Sequence, residues 1–400
     1  MAQQAVKSKG GKKPATNAKA QYPEEVVFNG KALPKDLTKV EKEIIDSLLR
    51  EALASGIVTG HEVKGYSVPA GEGSETELVA LTSADIRYAV KIDMNEKLVR
   101  EALKLKSIAN RRELPKGFAN HFPQVYAIKN DKPPFAYIMQ AFERKSFAEY
   151  LFKEENTEVE MKKVMKAVLD ALLPSYKSTI NYNLVPSIKE LYVKRIHERL
   201  NTARNLNAEF KKISTRPITI NGNRYDTPET YLHHIEHHLH QFGVHFTTFV
   251  HGDCHMENIL LKFYPSGKVD IKFIDTKDWH EGDYMFDICK FMHYLQVTGP
   301  AQKTWKPTVA KIDFTGHSIN YTLHEDPFHI KPLSTILLNR VKKFAGEVKD
   351  VHWHKRYSLS MASNLLGLPA ARLKSNDPRK INAAYILYAE GLKHLSRCCS

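Results

Sequence analysis

A chain of 400 residues, 42% hydrophobic and 26% charged, is long enough to bury a full core and has no apolar run of bilayer-spanning length. Its first twenty residues supply lysine, alanine, glycine and glutamine rather than a basic cap and an apolar stretch, so no secretory signal is read and a soluble, cytoplasmic protein is expected. Lys plus Arg number 59 against 45 Asp plus Glu, a formal net charge of +14 that favours anionic partners such as nucleotide, nucleic acid or membrane surface.

Residues 1–24 contain Lys7, Lys9, Lys12, Lys13 and Lys19 and read as a basic disordered tail, with a nucleic-acid grip as its less favoured use. Leu37 to Leu53 is predicted as an amphipathic helix with Val40, Ile44, Leu48, Leu49 and Ala52 on one face. Three strands follow at His61 to Val68, Glu77 to Leu81 and Ile86 to Ile92, the first two joined by the turn Pro69-Ala70-Gly71-Glu72-Gly73-Ser74. A helix is expected from Glu96 to Asn110 on Leu98, Ala102, Leu105 and Ala109, then strands at Gln124 to Lys129 and Phe135 to Gln140.

Beyond Phe142 the pattern turns helical, at Val159 to Leu173, Ser187 to Ala203 and a segment ending near Gln241, with a short strand-and-turn piece from Ile218 to Arg224. An apolar strand, Phe246 to Val250, leads into His251. Ile259 to Tyr264 and Val269 to Ile274 flank Pro265-Ser266-Gly267-Lys268, a hairpin signal. The remainder is expected to be helical, with loops at Thr298 to Pro300 and Asn376 to Pro378. The fold class is therefore α+β in two lobes: residues 25–140 a small antiparallel-sheet lobe ending in a connector near Gln140, and residues 141–400 a large helical lobe carrying one buried hairpin.

Asp253 and Asn258 lie five apart after a strand, and the hairpin that follows ends at Asp275, so the three can face one point. Phosphoryl transfer needs such a set: one carboxylate to orient the attacking hydroxyl, and an amide oxygen and second carboxylate as hard ligands for Mg²⁺. Lys91 closes the third strand and Glu101 sits in the next helix, a spacing by which a carboxylate holds a phosphate-binding lysine extended. Gly71, Gly73 and Ser74 would let backbone amides approach phosphates.

The runs Phe249-Val-His-Gly-Asp-Cys-His-Met-Glu-Asn-Ile-Leu-Leu261, Phe273-Ile-Asp275 and Gly282-Asp-Tyr-Met-Phe-Asp-Ile288 resemble the signature of the aminoglycoside phosphotransferase and choline kinase superfamily. The resemblance extends over roughly residues 60–400 and implies a protein-kinase-like fold that transfers the γ-phosphoryl group of ATP, or GTP, to a hydroxyl. It makes Asp253 the catalytic aspartate, Asn258 and Asp275 the magnesium ligands, Lys91 the nucleotide lysine and Glu101 its partner. It makes Tyr137 to Phe142 the connector that meets adenine, with Gln140 and Phe142 at the nucleotide, and His251 and Asp287 supports of the loop. The glycine turn departs from any tight consensus. Thr276-Lys277 stands where a protein kinase carries Phe-Gly, Gly252 follows His251 where it carries Arg, and no Ala-Pro-Glu follows, which disfavours a protein kinase.

The run His233-His234-Ile235-Glu236-His237-His238 has i,i+4 pairs suited to zinc but lacks the long apolar spans of a membrane histidine box, so a half-solvated helix is the expected reading. Cys254 and His255 are read as loop residues. The acceptor is expected to be a small molecule (sugar, amino alcohol, antibiotic or polysaccharide precursor), with polycationic aminoglycosides disfavoured by the basic charge. The rival readings are a protein-directed kinase of the same fold and a nucleotide-binding module without turnover.

Overall fold

A computed structural model of the protein describes residues 38–54, 64–68, 77–83, 86–142, 144–152, 156–303, 310–323 and 330–400. The basic tail and the turn bearing Gly71, Gly73 and Ser74 lie outside them. No helix among the described residues is long and apolar enough to cross a membrane.

Helix α1 (Lys39–Ala54) starts where the Thr38 hydroxyl and the Glu41 carboxylate take each other's backbone N–H, a reciprocal cap. Strands β1 (Lys64–Val68), β2 (Glu77–Ser83), β3 (Ile86–Asp93), β4 (Val125–Lys129) and β5 (Phe135–Gln140) form one antiparallel sheet in the order β1-β2-β3-β5-β4, and α2 (Lys97–Ile108) links β3 to β4. The period-two alternation of strands sorts this sheet by face. Tyr88, Val90, Ile92, Ala136 and Ile138 join Ile44, Ile45, Leu48, Leu49 and Ala52 of α1 in a satellite core. Ala89, Tyr137 and Met139, on the other face, join Leu98, Ala102 and Leu105 of α2 in the main core, which continues into the helical lobe. Val40, expected on the buried stripe of α1, is 52% exposed because it lies in the first turn of the helix, ahead of the stripe that begins at Ile44 and also takes in Ile45. Ala109 is exposed because α2 ends at Ile108.

After the connector, β6 (Lys145–Ser146) opens the helical lobe. Helices α3 (Phe147–Leu151) and α4 (Glu158–Ser178) each begin in a capping box, Ser146 with Glu149 and Thr157 with Glu160. A π-helical turn, Lys189–Lys194, feeds α5 (Arg195–Leu206), followed by α6 (Ala208–Ser214), β7 (Ile218–Ile220), β8 (Asn223–Tyr225), α7 (Pro228–His237) and β9 (Thr248–Phe249). The expected hairpin is β10 (Ile259–Phe263) with β11 (Val269–Phe273), in register Ile259 with Phe273, and Gly267 takes the positive φ its turn requires. β6 pairs with β10, Leu260 opposite Ser146, which stitches the chain leaving the first lobe onto this hairpin. β12 (Glu281–Gly282) pairs with β9 and leads into α8 (Tyr284–His293).

Two expectations for the C-terminal third are overturned. Thr298 to Pro300 is not a loop: it continues from α8 through a π-helical turn into α9 (Gly299–Lys303). Gly299 is there for close packing, since a Cβ would overlap the Phe152 ring, and Pro300 sits in the first turn, where its missing N–H costs nothing. Nor is the remainder all helix, because β13 (Ala310–Asp313) and β14 (Ser318–Tyr321) form a hairpin, and β14 pairs in parallel with β7 through Ile319 and Ile220. Helices α10 (Ile330–Glu347), α11 (Trp353–Leu366), α12 (Pro369–Arg372) and α13 (Pro378–Cys398) complete the lobe.

A buried ionic network fixes the start of α8. Arg356 of α11 is 0% exposed, and its Nε lies 2.6 Å from Asp283, whose other oxygen caps Met285 N–H. The rest of its guanidinium grips Asp350. Tyr192 donates to Asp283 at 2.7 Å and Tyr284 to Asp350 at 2.6 Å. Removing the cation would leave two buried carboxylates without a counter-charge, so Arg356→Leu is expected to cost about 3–5 kcal/mol, read as a fall in urea midpoint and melting temperature.

Candidate active site

The strand β9 delivers the chain into a tight turn at residues 251–253. Gly252 has φ +87°, and a Cβ there would meet Lys277 Cβ at 2.7 Å and the Trp279 indole at 3.2 Å, so handedness and space both require glycine. The turn is clamped from two sides. Asp287 of α8, fully buried, accepts the N–H groups of His251 (2.6 Å) and Gly252 (2.7 Å) and the Tyr176 hydroxyl (3.2 Å). From the opposite lobe Lys104 of α2, also fully buried, donates to the carbonyls of Val250 (2.8 Å), His251 (3.1 Å) and Trp279 (2.7 Å). Burial pushes the Asp287 carboxyl up and pulls the Lys104 ammonium down, each resisted by the charge of the other group or by its hydrogen bonds. His251 Nδ1 accepts the Asp253 N–H at 3.2 Å, which assigns the ring proton to Nε2, and burial lowers this imidazole to about 3, so it stays neutral.

The hairpin brings the three expected residues together. Asn258 Nδ2 donates to the Asp253 carbonyl (3.0 Å) and Ile274 N–H to the Asn258 carbonyl (3.0 Å), so Asp275 emerges beside Asn258. Asp275 itself has φ +59°, a left-handed conformation that aspartate tolerates better than most residues. Lys91, on the α2 face of β3, contacts Glu101 at 2.8 Å and reaches across the lobes to pair with Asp275, while Tyr137 donates to the same Glu101 oxygen at 2.9 Å. Burial opposes the Lys91 charge, but Asp275, Tyr137 and Glu101 outweigh it and raise its pKa well above the ordinary lysine value. Burial likewise opposes the Asp275 charge, and Lys91 overrides it to hold the carboxyl below its usual range.

Sequence reasoning missed the cations around Asp253. Lys277 and Lys290 each place Nζ 2.9 Å from one of its oxygens. Burial would raise this carboxyl, yet Lys290 and then Lys277 hold it well below the ordinary aspartate value. Both lysines were legible as neighbours: Lys277 stands two residues after Asp275, and Lys290 one helical turn after Asp287. Lys104, one turn after Glu101, carries a similar signal. Of the expected nucleotide residues, Gly71, Gly73 and Ser74 lie outside the described residues. Gln140 ends β5 opposite Tyr88, and Phe142 lies between the Arg144 and Lys272 cations at 5.3 and 5.2 Å. Cys254 is buried with its thiol pushed up, and His255 stacks on Tyr294. His233, His234 and His237 are exposed on α7.

Among the described residues no group of three or more His, Cys, Asp or Glu is placed to hold a metal. The expected magnesium set is different in kind: the Asn258 amide, whose nitrogen is committed to the Asp253 carbonyl and whose Oδ1 makes no hydrogen bond among the described residues, with the Asp275 carboxylate beside it. Mg²⁺ takes one or two protein oxygens and completes its shell with water and phosphate, so this hard-oxygen pair fits it.

His251 has a lower proton affinity folded than unfolded, so the unfolded chain takes up the extra proton as pH falls. Its contribution to stability is therefore complete above about 6.5 and is lost progressively toward about 3. Between those limits, lowering the pH from about 6.5 to about 5 should cost the wild type about 2 kcal/mol more than His251→Phe, measured as the difference in urea-derived stability. Gly252→Ala, which forces a Cβ against Lys277 and Trp279, should destabilise by about 1–3 kcal/mol and displace Asp253, seen as a lower melting temperature and altered chemical shifts around Trp279.

No protein-family model matches this chain, and no curated protein does. Solved structures similar to it include a choline kinase from Cryptosporidium parvum, 12% identical, covering 89% of this chain and 96% of that one, with a TM-score of 0.48. An ethanolamine kinase from Plasmodium vivax is 11% identical over 92% of each chain, with a TM-score of 0.47. An aminoglycoside phosphotransferase in ternary complex with ADP and hygromycin B is 11% identical, over 90% of this chain and 98% of that one, with a TM-score of 0.46. Each of these is a small-molecule kinase or phosphotransferase.

Proposed function

We propose that this chain is a phosphotransferase of the aminoglycoside phosphotransferase and choline kinase type, moving the γ-phosphoryl group of ATP to a hydroxyl of a small molecule. The observation that carries the reading is the bridge from Lys91, held by Glu101, across to Asp275, which the β10–β11 hairpin returns beside Asn258 and Asp253. Five residues from two lobes converge on one point, and their chemistry is that of phosphoryl transfer. Residues 25–140 would serve as the nucleotide-binding lobe, with Gly71, Gly73 and Ser74 over the phosphates and the connector at Gln140 and Phe142 against the base. Residues 141–400 would carry the transfer centre and the acceptor.

Asp253 fixes the acceptor hydroxyl for attack on the γ-phosphorus. The new bond runs from that oxygen to phosphorus, the bond from phosphorus to the β,γ-bridging oxygen breaks, ADP leaves, and the hydroxyl proton passes to the Asp253 carboxylate and then to solvent. A carboxylate held well below its usual pKa is a weak base, so Asp253 contributes chiefly by orientation, with the proton moving late. Asn258 and Asp275 would hold magnesium, which when bound would supply positive charge to offset that of the phosphates. Lys91 supplies positive charge at the non-transferred phosphates, and Lys277 and Lys290 supply it where charge develops near the hydroxyl.

A screen of metabolite pools with Mg-ATP, comparing wild type with Asp253→Asn, tests this. Transfer should drop by about 10²-fold or more in the variant while nucleotide still binds. Undiminished transfer by Asp253→Asn would remove the assignment, and nucleotide binding without magnesium-dependent turnover in the wild type would leave only a binding module.

A further inference from the structure

Beside the Asp253 centre lies a cleft of about 360 Å³ walled by Glu190, Leu191, Lys194, Arg195, Glu198 and Arg199 on one side and by Trp279 and Phe286 on the other. Leu191, Arg195 and Arg199 fall on one face at i,i+4 spacing. The Arg195 guanidinium stands 5.5 Å from the Phe286 ring, and Lys290 Nζ is 5.9 Å from the same ring while holding Asp253 at 2.9 Å. The Phe286 ring thus borders both the cleft and the Lys290 that holds Asp253, and the charges of Arg195 and Asp253 act on each other. The volume suits a ligand of monosaccharide size.

The charges in this cleft are unequally spent. Of the two carboxylates that line it, Glu190 is taken by Lys194 at 2.8 Å and Glu198 makes no ion pair among the described residues, while Asp253 beyond it is taken by Lys277 and Lys290. Arg195 and Arg199 likewise make no ion pair among them, and the Arg195 Nε is shielded from solvent with no acceptor. The two guanidinium groups repel each other, a repulsion that a bound anion would relieve. Counted without the groups already in ion pairs, the cleft presents an entering ligand with two guanidinium groups, Arg195 and Arg199, against one carboxylate, Glu198.

We propose that the acceptor is an anionic polyol of monosaccharide size, whose carboxylate or phosphate is gripped by Arg195 and Arg199 while one of its hydroxyls reaches Asp253. The proposal rests on the phosphotransferase reading for its reaction but not for its binding. Arg195 is the pivotal group, because it both lines the cleft and stacks on the ring next to Lys290.

The test uses the full chain and four probes that differ in charge: glucose, glucosamine, glucuronate and glucose 6-phosphate. Calorimetric binding is measured without nucleotide, and KM with Mg-ATP, for wild type, Arg195→Gln and Arg195→Lys. The wild type should bind at least one of the two anionic sugars and bind glucosamine least, and which anion binds tells carboxylate from phosphate. Arg195→Gln should weaken anion binding by about 10-fold or more, with an unchanged melting temperature and partial recovery in Arg195→Lys. Tighter binding of glucosamine than of both anions, no binding of either anion, or a shift in the KM of ATP rather than of the acceptor on Arg195→Gln would overturn the proposal. Anion binding without any magnesium-dependent turnover would remove the phosphotransferase reading and keep the anion site, and turnover that prefers glucosamine or glucose would do the reverse.

Discussion

Everything at the centre of this molecule depends on the clamp that Asp287 and Lys104 place on the turn at His251 and Gly252. The backbone there cannot satisfy its polar groups within a helix or ladder, because it leaves β9 and must present Asp253 outward. A buried carboxylate takes the N–H groups from the helical lobe, and a buried ammonium takes the carbonyls from the sheet lobe. Burying either charge alone would cost several kcal/mol, so each is tolerable only because the turn and the opposite charge answer it. The clamp thus makes the geometry of Asp253 contingent on the docking of both lobes. The main core agrees, since it runs without interruption from the sheet face behind Lys91 into the helical bundle.

Around that turn the carboxylates and lysines are matched four to four, and the cations left over are two arginines. Asp275 shares Lys91 with Glu101, Asp253 has Lys277 and Lys290, Asp287 is answered by Lys104, and Arg195 and Arg199 stand further out without an ion pair among the described residues. Such a surplus of cations in a partly desolvated pocket is costly unless anions arrive, and a nucleotide with its phosphates is one such anion. The cleft by Phe286 offers room for a second. The net charge of the whole chain could not locate that surplus, because much of it lies in the tail and on exposed helices.

Local order was largely readable along the chain. The strands of the first sheet, the helix after it and the β10–β11 hairpin follow from alternation, spacing and turn residues, all of which act between near neighbours. Long-range order was not readable in the same way. The β13–β14 hairpin is fixed by pairing with β7, about a hundred residues away, and the Gly299-Pro300 pair looks like a breaker until the ring of Phe152 is seen to need the missing Cβ.

By itself the sequence determined the identity and order of the chemical groups at the centre: Lys91, Glu101, Asp253, Asn258 and Asp275, in a run whose spacing already placed a strand, a turn and a hairpin. Tertiary structure decided how strongly the surrounding charges act on them. Lys104, Lys277, Lys290 and Arg195 come from four separate segments, and their electrostatic effect depends on separations of a few ångströms and on exclusion of water, neither of which any spacing along the chain encodes.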